Sequence, residues 1–171
     1  MKVINSELNF RLVELPEFTG RGATIYSVVL GSDDVTLFDQ FVIDNEGAYG
    51  EEVDEIVGTV AAIGQIGARW QFFKPNEGLP GDGVCALYDF ENRKLRLYCI
   101  RYSKFMVILG SGAMKNVRAW QDDPNLSQNA QIMMEVSKQI AARIQDRFDD
   151  FGLSEDLRNF TGTLNFNNYE H

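Results

Sequence analysis

The sequence predicts an α+β fold: an antiparallel β-meander with a helical pair before it and a long C-terminal helix. Three observations support this prediction. Strand patterns separated by very short connections lie between residues 84 and 110, two stretches with helical spacing precede them, and a third follows at 126–148. Because 171 residues correspond to one domain at about 100–200 residues per domain, we expect residues 1–171 to form a single domain.

The N-terminal segment is predicted to contain a strand pair and a first helix. Residues 8–15 alternate between apolar and polar side chains, and residues 23–30 are rich in β-branched side chains, so both segments are typical of strands. Ser32 or Asp33 is suited to cap the helix that the apolar spacing of residues 35–45 predicts.

A second helix is predicted over residues 51–66. Acidic side chains at its start suit the positive end of the helix dipole, and apolar side chains recur every three or four residues. Gly47 and Gly50 separate it from the first helix, and Gly67 ends it. These two segments form the expected helical pair.

Three strands are predicted over residues 84–90, 94–101 and 104–110. Their connections have hairpin length, so consecutive strands are expected to pair antiparallel. Glycine-rich residues 110–115 are expected to form an exit loop. Within the C-terminal tail 150–171, residues 159–171 are expected to add one further strand. An aromatic run before the meander is expected to belong to the core rather than to an RNA-binding surface; it comprises Trp70, Phe72 and Phe73.

The side chains of strand 94–101 divide between two faces, because successive residues in a strand point to opposite sides. The expected core face holds Leu95, Leu97 and Cys99. The opposite face holds Lys94, Arg96, Tyr98 and Ile100, and its cations could cradle a phosphate while the tyrosine stacks on a base. Arg101 has the parity of the core face unless a bulge intervenes or it lies past the sheet edge at the turn.

Basic side chains concentrate in one part of an acidic protein. The chain has 16 Lys and Arg against 25 Asp and Glu, a net charge of −9 that argues against general coating of DNA. Residues 67–118, however, hold nine basic and four acidic side chains, a net charge of +5. Such asymmetry suggests an anionic partner, although charges that merely solvate the outer face of a sheet would give the same pattern.

The residue content excludes several kinds of catalytic site. The single histidine is His171, the last residue, so a Ser-His-Asp triad, a Cys-His pair and a histidine metal site are not expected. Cys85 and Cys99 lie in apolar runs without a CxxC motif, and we expect both to be buried, reduced thiols. The sequence shows neither a signal peptide nor a membrane-spanning run, so we expect a cytoplasmic protein, and no metal or other cofactor.

Between residues 51 and 148 the chain resembles the RelE/ParE-like toxin superfamily, and most closely its HigB-like branch. The resemblance rests on helix 51–66, GAR at 67–69, Phe73-Lys74, LYD at 87–89, RLYCIRY at 96–102, KFMVILGSGAMK at 104–115 and a helix over 126–148 in the place of the family's C-terminal helix. Residues 1–50 lie partly outside the resemblance, and the tail follows it.

This resemblance implies a bacterial toxin of a type II toxin–antitoxin system, a metal-independent endoribonuclease that cuts messenger RNA on the ribosome. A partner antitoxin, expected to be of the helix-turn-helix type, would neutralise it. The implied catalytic residues are Arg69, Lys74, Arg96, Arg101 and Lys115. The residues expected to bind RNA are Lys94, Tyr98, Tyr102 and Lys104.

The chemistry of RNA cleavage explains these residue types. Arg and Lys stabilise the negative charge that develops on the phosphoryl oxygens, and a Tyr, Lys or Glu can move protons in place of histidine. The alternative function, from a different class, is a catalytically inert protein on the same scaffold that binds a partner.

Overall fold

The computed structural model describes residues 8–75, 77–115 and 124–167; Arg118 and His171 lie outside these ranges. Two long helices cover the two faces of a six-stranded sheet, which confirms the mixed α+β class. The strands of this sheet are β1 (Phe10–Glu14), β2 (Thr24–Leu30), β3 (Phe73–Lys74), β4 (Val84–Leu87), β5 (Leu95–Ser103) and β6 (Met106–Met114). The helices are α1 (Leu37–Ile66) and α2 (Pro124–Gln145), and β7 (Gly152–Leu153) pairs with β8 (Phe160–Thr161) in a small separate ladder.

The order of strands in the large sheet is β1-β2-β6-β5-β4-β3. As the short connections predict, β4, β5 and β6 are consecutive antiparallel neighbours, with Cys85 opposite Cys99 and Ile100 opposite Ile108. The sheet is nevertheless mixed rather than purely antiparallel, because β2 runs parallel to β6. The chain between these two strands includes α1, and a long crossover of this kind is what parallel pairing requires.

Helix α1 replaces the predicted helical pair with one long element that is kinked at Tyr49, where φ is −132° and ψ is 44°. The kink lies between Gly47 and Gly50, the residues predicted to separate two helices. Both halves pack on the same face of the sheet, so the chain resumes the helix after the kink. The N-cap is Thr36 rather than Ser32 or Asp33, because its hydroxyl accepts a hydrogen bond from the backbone N–H three residues later at 3.1 Å.

Strand β6 extends through the residues predicted to form an exit loop. Arg96 pairs with Ala113, and Leu97 pairs with Gly112. A Cβ atom at Gly112 would lie 1.8 Å from the carbonyl oxygen of Arg96, so glycine here allows two strands to approach closely. Gly112 thus serves strand pairing, Gly110 leaves room for Met133 of α2, and neither marks a loop.

Helix α2 covers the sheet face that was expected to be open. The alternation along β5 is as predicted, with Leu97 and Cys99 on the α1 face and Tyr98 and Ile100 on the other. That second face is buried, because the apolar stripe of α2 packs on it together with aromatic side chains of the tail. The expectation of an exposed face around Tyr98 is therefore wrong: α1 occupies one face, so the apolar side of α2 packs on the other.

The two cysteines are buried, as predicted, and neither forms a disulfide. Their Sγ atoms lie 3.7 Å apart across β4 and β5. Burial raises the pKa of the Cys99 thiol well above its usual range, so Cys99 is held as an unreactive thiol.

Candidate functional site

Three of the five cations that the resemblance implies as catalytic residues lie together at one end of the sheet. Lys74 is in β3, Arg96 is near the start of β5, and Lys115 directly follows β6. In an antiparallel sheet the end of one strand lies beside the start of the next, so residues from several strands meet at this end of the sheet. Asp89, two residues after the end of β4, lies at the same edge and is the carboxylate that the three cations share.

The residues of this cluster form ion pairs, two with short and two with longer N–O distances. Asp89 Oδ1 lies 2.6 Å from Lys74 Nζ, and Asp89 Oδ2 lies 2.5 Å from Lys115 Nζ and 3.7 Å from Arg96 Nε. Glu77 Oε1 lies 3.8 Å from Arg96 Nη1. We call these five residues the Asp89 cluster. Its three cations and two carboxylates give a net charge of +1 when all are ionised.

The two carboxyl groups of the Asp89 cluster have opposite pKa shifts. Burial alone would raise the pKa of Asp89, but hydrogen bonds from Lys115 and Lys74 and the charge of Arg96 outweigh it and hold the pKa below its usual range. For Glu77, burial outweighs the attraction of Arg96 and Lys74, and the pKa is raised. Asp89 is therefore ionised at neutral pH, whereas Glu77 binds a proton more readily than an ordinary glutamate does.

A cleft between α1 and the connection from β4 to β5 reaches the Asp89 cluster from the α1 side. The cleft has a volume of about 390 Å³ and includes Asp89 in its wall. Tyr88 and Phe90 line it with rings in edge-to-face contact at 5.4 Å, and both side chains are largely exposed. Asp89 is the member of the cluster that lines this cleft, whereas Arg96 lies on the opposite face of the sheet together with Tyr98, which α2 covers.

The other two implied catalytic residues lie elsewhere. Arg101 keeps the parity of the core face, and its Nε donates a hydrogen bond to Ala68 O at 2.6 Å while its guanidinium lies 4.2 Å from the ring centre of Trp70. Arg69 lines a separate pocket together with Lys104. The five residues do not form a single patch, because register shifts in β5 do not turn Arg101 towards Arg96.

The residues predicted to bind RNA are also dispersed. Tyr98 is fully buried, and burial raises its pKa to about 12 although Arg96 opposes this, so it cannot stack on a base from solvent as it stands. Tyr102 is partly buried against Phe160, with the rings 5.3 Å apart. Lys94 is exposed, and its backbone N–H donates to Glu52.

Sequence reasoning missed the acidic members of the Asp89 cluster and an exposed aromatic side chain. Asp89 belongs to the LYD run, and an acidic residue inside a basic segment is the signal that could have singled it out. Glu77 lies in the same basic segment, but this signal applies equally to Asp82 and Glu91 and so does not single it out. Trp70, expected in the core, is 53% exposed because it belongs to a single 3₁₀ turn that follows α1.

Comparison with known proteins yields no match among protein-family models, curated proteins or solved structures. Within the described residues, no helix has the length and apolar content needed to cross a membrane. In the same part of the chain, no three His, Cys, Asp or Glu side chains come together as the ligands of a metal ion would.

Proposed function

We propose that the protein is a metal-independent endoribonuclease, a HigB/RelE-like toxin that cuts messenger RNA in the cytoplasm and is neutralised by a partner antitoxin. The observation that carries this proposal is the convergence of Lys74, Arg96 and Lys115 on the carboxylate of Asp89. Three cations around one pair of oxygens are suited to a phosphoryl group, whose negative charge increases during cleavage.

RNA cleavage of this kind needs two proton transfers in addition to charge stabilisation. The 2′-hydroxyl attacks the adjacent phosphorus, so a bond from the 2′ oxygen to phosphorus forms while the bond from phosphorus to the 5′ oxygen breaks. In the proposed step Glu77 takes the 2′-hydroxyl proton, because its raised pKa makes its carboxylate a stronger base. The ammonium of Lys74, the most exposed of the three cations, protonates the leaving 5′ oxygen.

The cleft beside the Asp89 cluster supports the same proposal. Tyr88 and Phe90 offer exposed aromatic rings, and single-stranded RNA is commonly held by stacking its bases on such rings. Lys74 Nζ lies 5.9 Å from the ring centre of Tyr88, so a base beside that ring would bring its phosphate close to Lys74.

A second candidate function is a catalytically inert protein that binds a partner. The observation that favours it is the neutralisation of the cations by Asp89 and Glu77, together with the burial of Arg96, whose side chain is only 10% exposed. Charges that are buried and paired in this way also occur where they serve structure or specificity alone.

Substitution of Lys74 by glutamine tests the nuclease directly. With purified protein, ribosomes and a reporter messenger RNA, we expect Lys74→Gln to cleave about 10²–10³-fold more slowly, the effect of losing one group that stabilises the transition state. Lys138→Gln, which removes an exposed cation from α2, is expected to keep the wild-type rate. Thermal unfolding of both variants checks that the fold is intact, and equal rates for Lys74→Gln and the wild type would contradict the proposed role.

Regulated expression in bacteria separates the two candidate functions. The nuclease is expected to slow growth and to shorten cellular messenger RNA, and co-expression of its antitoxin is expected to restore both. Wild-type protein that accumulates in folded form without either effect would favour the inert partner-binding protein.

A further inference from the structure

A second cationic site lies at the C-terminal end of α1, separate from the Asp89 cluster. A pocket of about 300 Å³ is formed where the β1–β2 connection, the residues after α1, the β5–β6 turn and the tail meet. Its cationic lining residues are Arg21, Arg69, Lys104 and Arg158. No Asp or Glu is among the described residues that line this pocket, which we call the four-cation pocket.

The cations of the four-cation pocket form no ion pair within the described part of the chain. Five other basic side chains form ion pairs with carboxylates, whereas none of these four has a carboxylate partner within 4 Å among the described residues. The guanidinium of Arg158 donates to Arg21 O at 2.7 Å, and Asp156 accepts a hydrogen bond from the backbone of Arg158 rather than from its side chain. Four like charges that share one pocket repel each other unless an anion binds between them.

Backbone contacts hold together the segments that carry these cations. Gly22 N donates to Gly64 O at 2.8 Å, and a Cβ atom at Gly22 would lie 2.2 Å from Gly67 N, so glycine allows the loop that carries Arg21 to lie against the end of α1. The Phe105 ring lies 4.6 Å from the guanidinium of Arg158 and 5.3 Å from Lys104 Nζ. The backbone segments that form the pocket are therefore in place before a ligand binds, although Arg21, Arg69 and Lys104 are exposed side chains.

An exposed aromatic side chain adjoins the four-cation pocket. The N–H of Ala68 donates to Lys104 O at 2.8 Å, and the carbonyl of Ala68 accepts from Arg101 Nε. Arg101 in turn lies over Trp70, which is half-exposed and directly follows Arg69. Cations that track a backbone, next to aromatic rings that stack on bases, are the features by which proteins hold single-stranded nucleic acids.

We propose that the four-cation pocket binds backbone phosphates of a single-stranded RNA, with Trp70 in contact with a neighbouring base. The phosphate chemistry follows from the pocket itself, whereas the choice of RNA rests on the proposed function. The pocket would bind a part of the RNA strand that lies away from the Asp89 cluster. This second contact would explain how a protein with a net charge of −9 can bind a polyanion. The positive charge that binding needs is local and does not depend on the sum over the chain.

The test measures binding to an RNA that cannot be cleaved. A fluorescein-labelled strand of about 12 nucleotides, within the range that such sites accommodate, carries 2′-O-methyl riboses and so lacks the attacking hydroxyl. Its affinity is measured by fluorescence anisotropy for the wild type and for the pocket variant Arg69→Gln/Lys104→Gln. The matched control, Lys138→Gln/Arg147→Gln, removes two exposed cations that lie outside the pocket.

We expect the pocket variant to bind at least about tenfold more weakly than the control variant. Its plot of log affinity against log salt should be less steep by about 1.4, because each phosphate contact with a single strand contributes about 0.7 to the slope. Trp70→Ala is expected to weaken binding by about tenfold with an unchanged salt slope, since stacking does not release counterions.

Three outcomes would overturn the assignment. Equal loss of affinity in both double variants would show that RNA senses only the total charge. If inorganic pyrophosphate binds the wild type but not the pocket variant while RNA affinity is unchanged, the pocket serves a small phosphate compound. If the pocket variant unfolds at a lower temperature and keeps its RNA affinity, the cations only offset the negative end of the α1 dipole.

The experiment also distinguishes failure of this inference from failure of the proposed nuclease. Wild-type protein that binds the 2′-O-methyl strand through the pocket but never cleaves normal RNA overturns the nuclease alone. Protein that cleaves RNA while binding it equally well with and without the pocket cations overturns the pocket assignment alone.

Discussion

Asp89 and Glu77 show how neighbouring carboxyl groups acquire different properties from the number of cations that each contacts. Asp89 lies within 2.6 Å of two ammonium groups, and this attraction overcomes the penalty of burial. Glu77 lies 3.8 Å from one guanidinium nitrogen, and the penalty prevails. One carboxylate therefore holds the three cations together, while the other is left available to exchange a proton.

At the scale of single residues, strand alternation was the useful guide in the sequence. It assigned Arg96 and Tyr98 to one face and Arg101 to the other, as the structure has them. It could not identify Asp89 as their shared counterion or group Arg21 with Arg158, because those pairings join segments that are remote in the chain. Such contacts depend on which loops meet at a sheet edge, and periodicity carries no information about that.

Substitution of Glu77 by glutamine is expected to raise stability and lower activity. Because the pKa of Glu77 is raised by burial in the folded state, ionisation favours the unfolded chain, and this group reduces the free energy of unfolding as pH rises through its unfolded value of about 4.3. Glu77→Gln removes that penalty, so urea unfolding should show it to be more stable than the wild type at pH 7, with a difference that disappears near pH 3.

The cleavage rate of Glu77→Gln is expected to fall by about 10²–10⁴-fold if Glu77 is the general base. Glu91→Gln, a change at an exposed carboxylate nearby, is expected to leave both stability and rate unaltered. A Glu77→Gln variant that is less stable than the wild type at pH 7 would contradict the role of burial, and one with full activity would contradict the role as base.

At the scale of elements, the sequence predicted where strands and helices occur better than it predicted how they pack on one another. Hairpin-length connections were sufficient to predict that β4, β5 and β6 are antiparallel neighbours. The position of α2 could not be predicted in the same way. The pattern of an amphipathic helix shows that one of its faces is buried, but it does not identify the element on which that face packs. For that reason the sequence did not reveal that α2 covers the sheet face that carries Tyr98.

The pairing of β5 with β6 depends on Gly112, and its replacement by alanine is expected to be costly. The added Cβ would lie 1.8 Å from the carbonyl oxygen of Arg96, so the strands must separate where they position the Asp89 cluster. We expect a loss of about 1–3 kcal/mol or more in the free energy of unfolding, measured in urea, together with loss of cleavage.

Gly58→Ala in α1 is the matched control for this substitution. No atom lies within 4 Å of the added Cβ at Gly58, and alanine has the higher helix propensity, so stability should increase by about 0.5–1 kcal/mol. A Gly112→Ala variant that is as stable as the wild type would show that the two strands have more room than their contacts indicate.

At the scale of the whole molecule, the segments before residue 51 and after residue 148 supply much of the core. Strand β2 pairs with β6 and continues the sheet towards β1. Phe10 of β1 stacks on Phe166 of the tail at 4.6 Å, and Phe160 of β8 is buried against Tyr26. The tail also supplies Arg158 to the four-cation pocket, so the terminal segments contribute to a proposed binding site as well as to packing.

The prediction of a single domain over residues 1–171 can therefore be tested by truncation. The fragment 51–148 lacks β1, β2, the first half of α1 and the tail, so it would expose the edge of β6 and lose buried side chains that include Phe10, Phe160 and Phe166. Three phenylalanines at about 3–5 kcal/mol each amount to on the order of 10 kcal/mol, as much as the whole stability of a typical domain.

We expect this fragment to aggregate and to show no cooperative thermal transition by circular dichroism. A fragment of residues 8–167, which keeps all of these elements, should unfold in one transition. Cooperative unfolding of 51–148 would show instead that the segment resembling the toxins is an independent domain and that the terminal strands are additions to it.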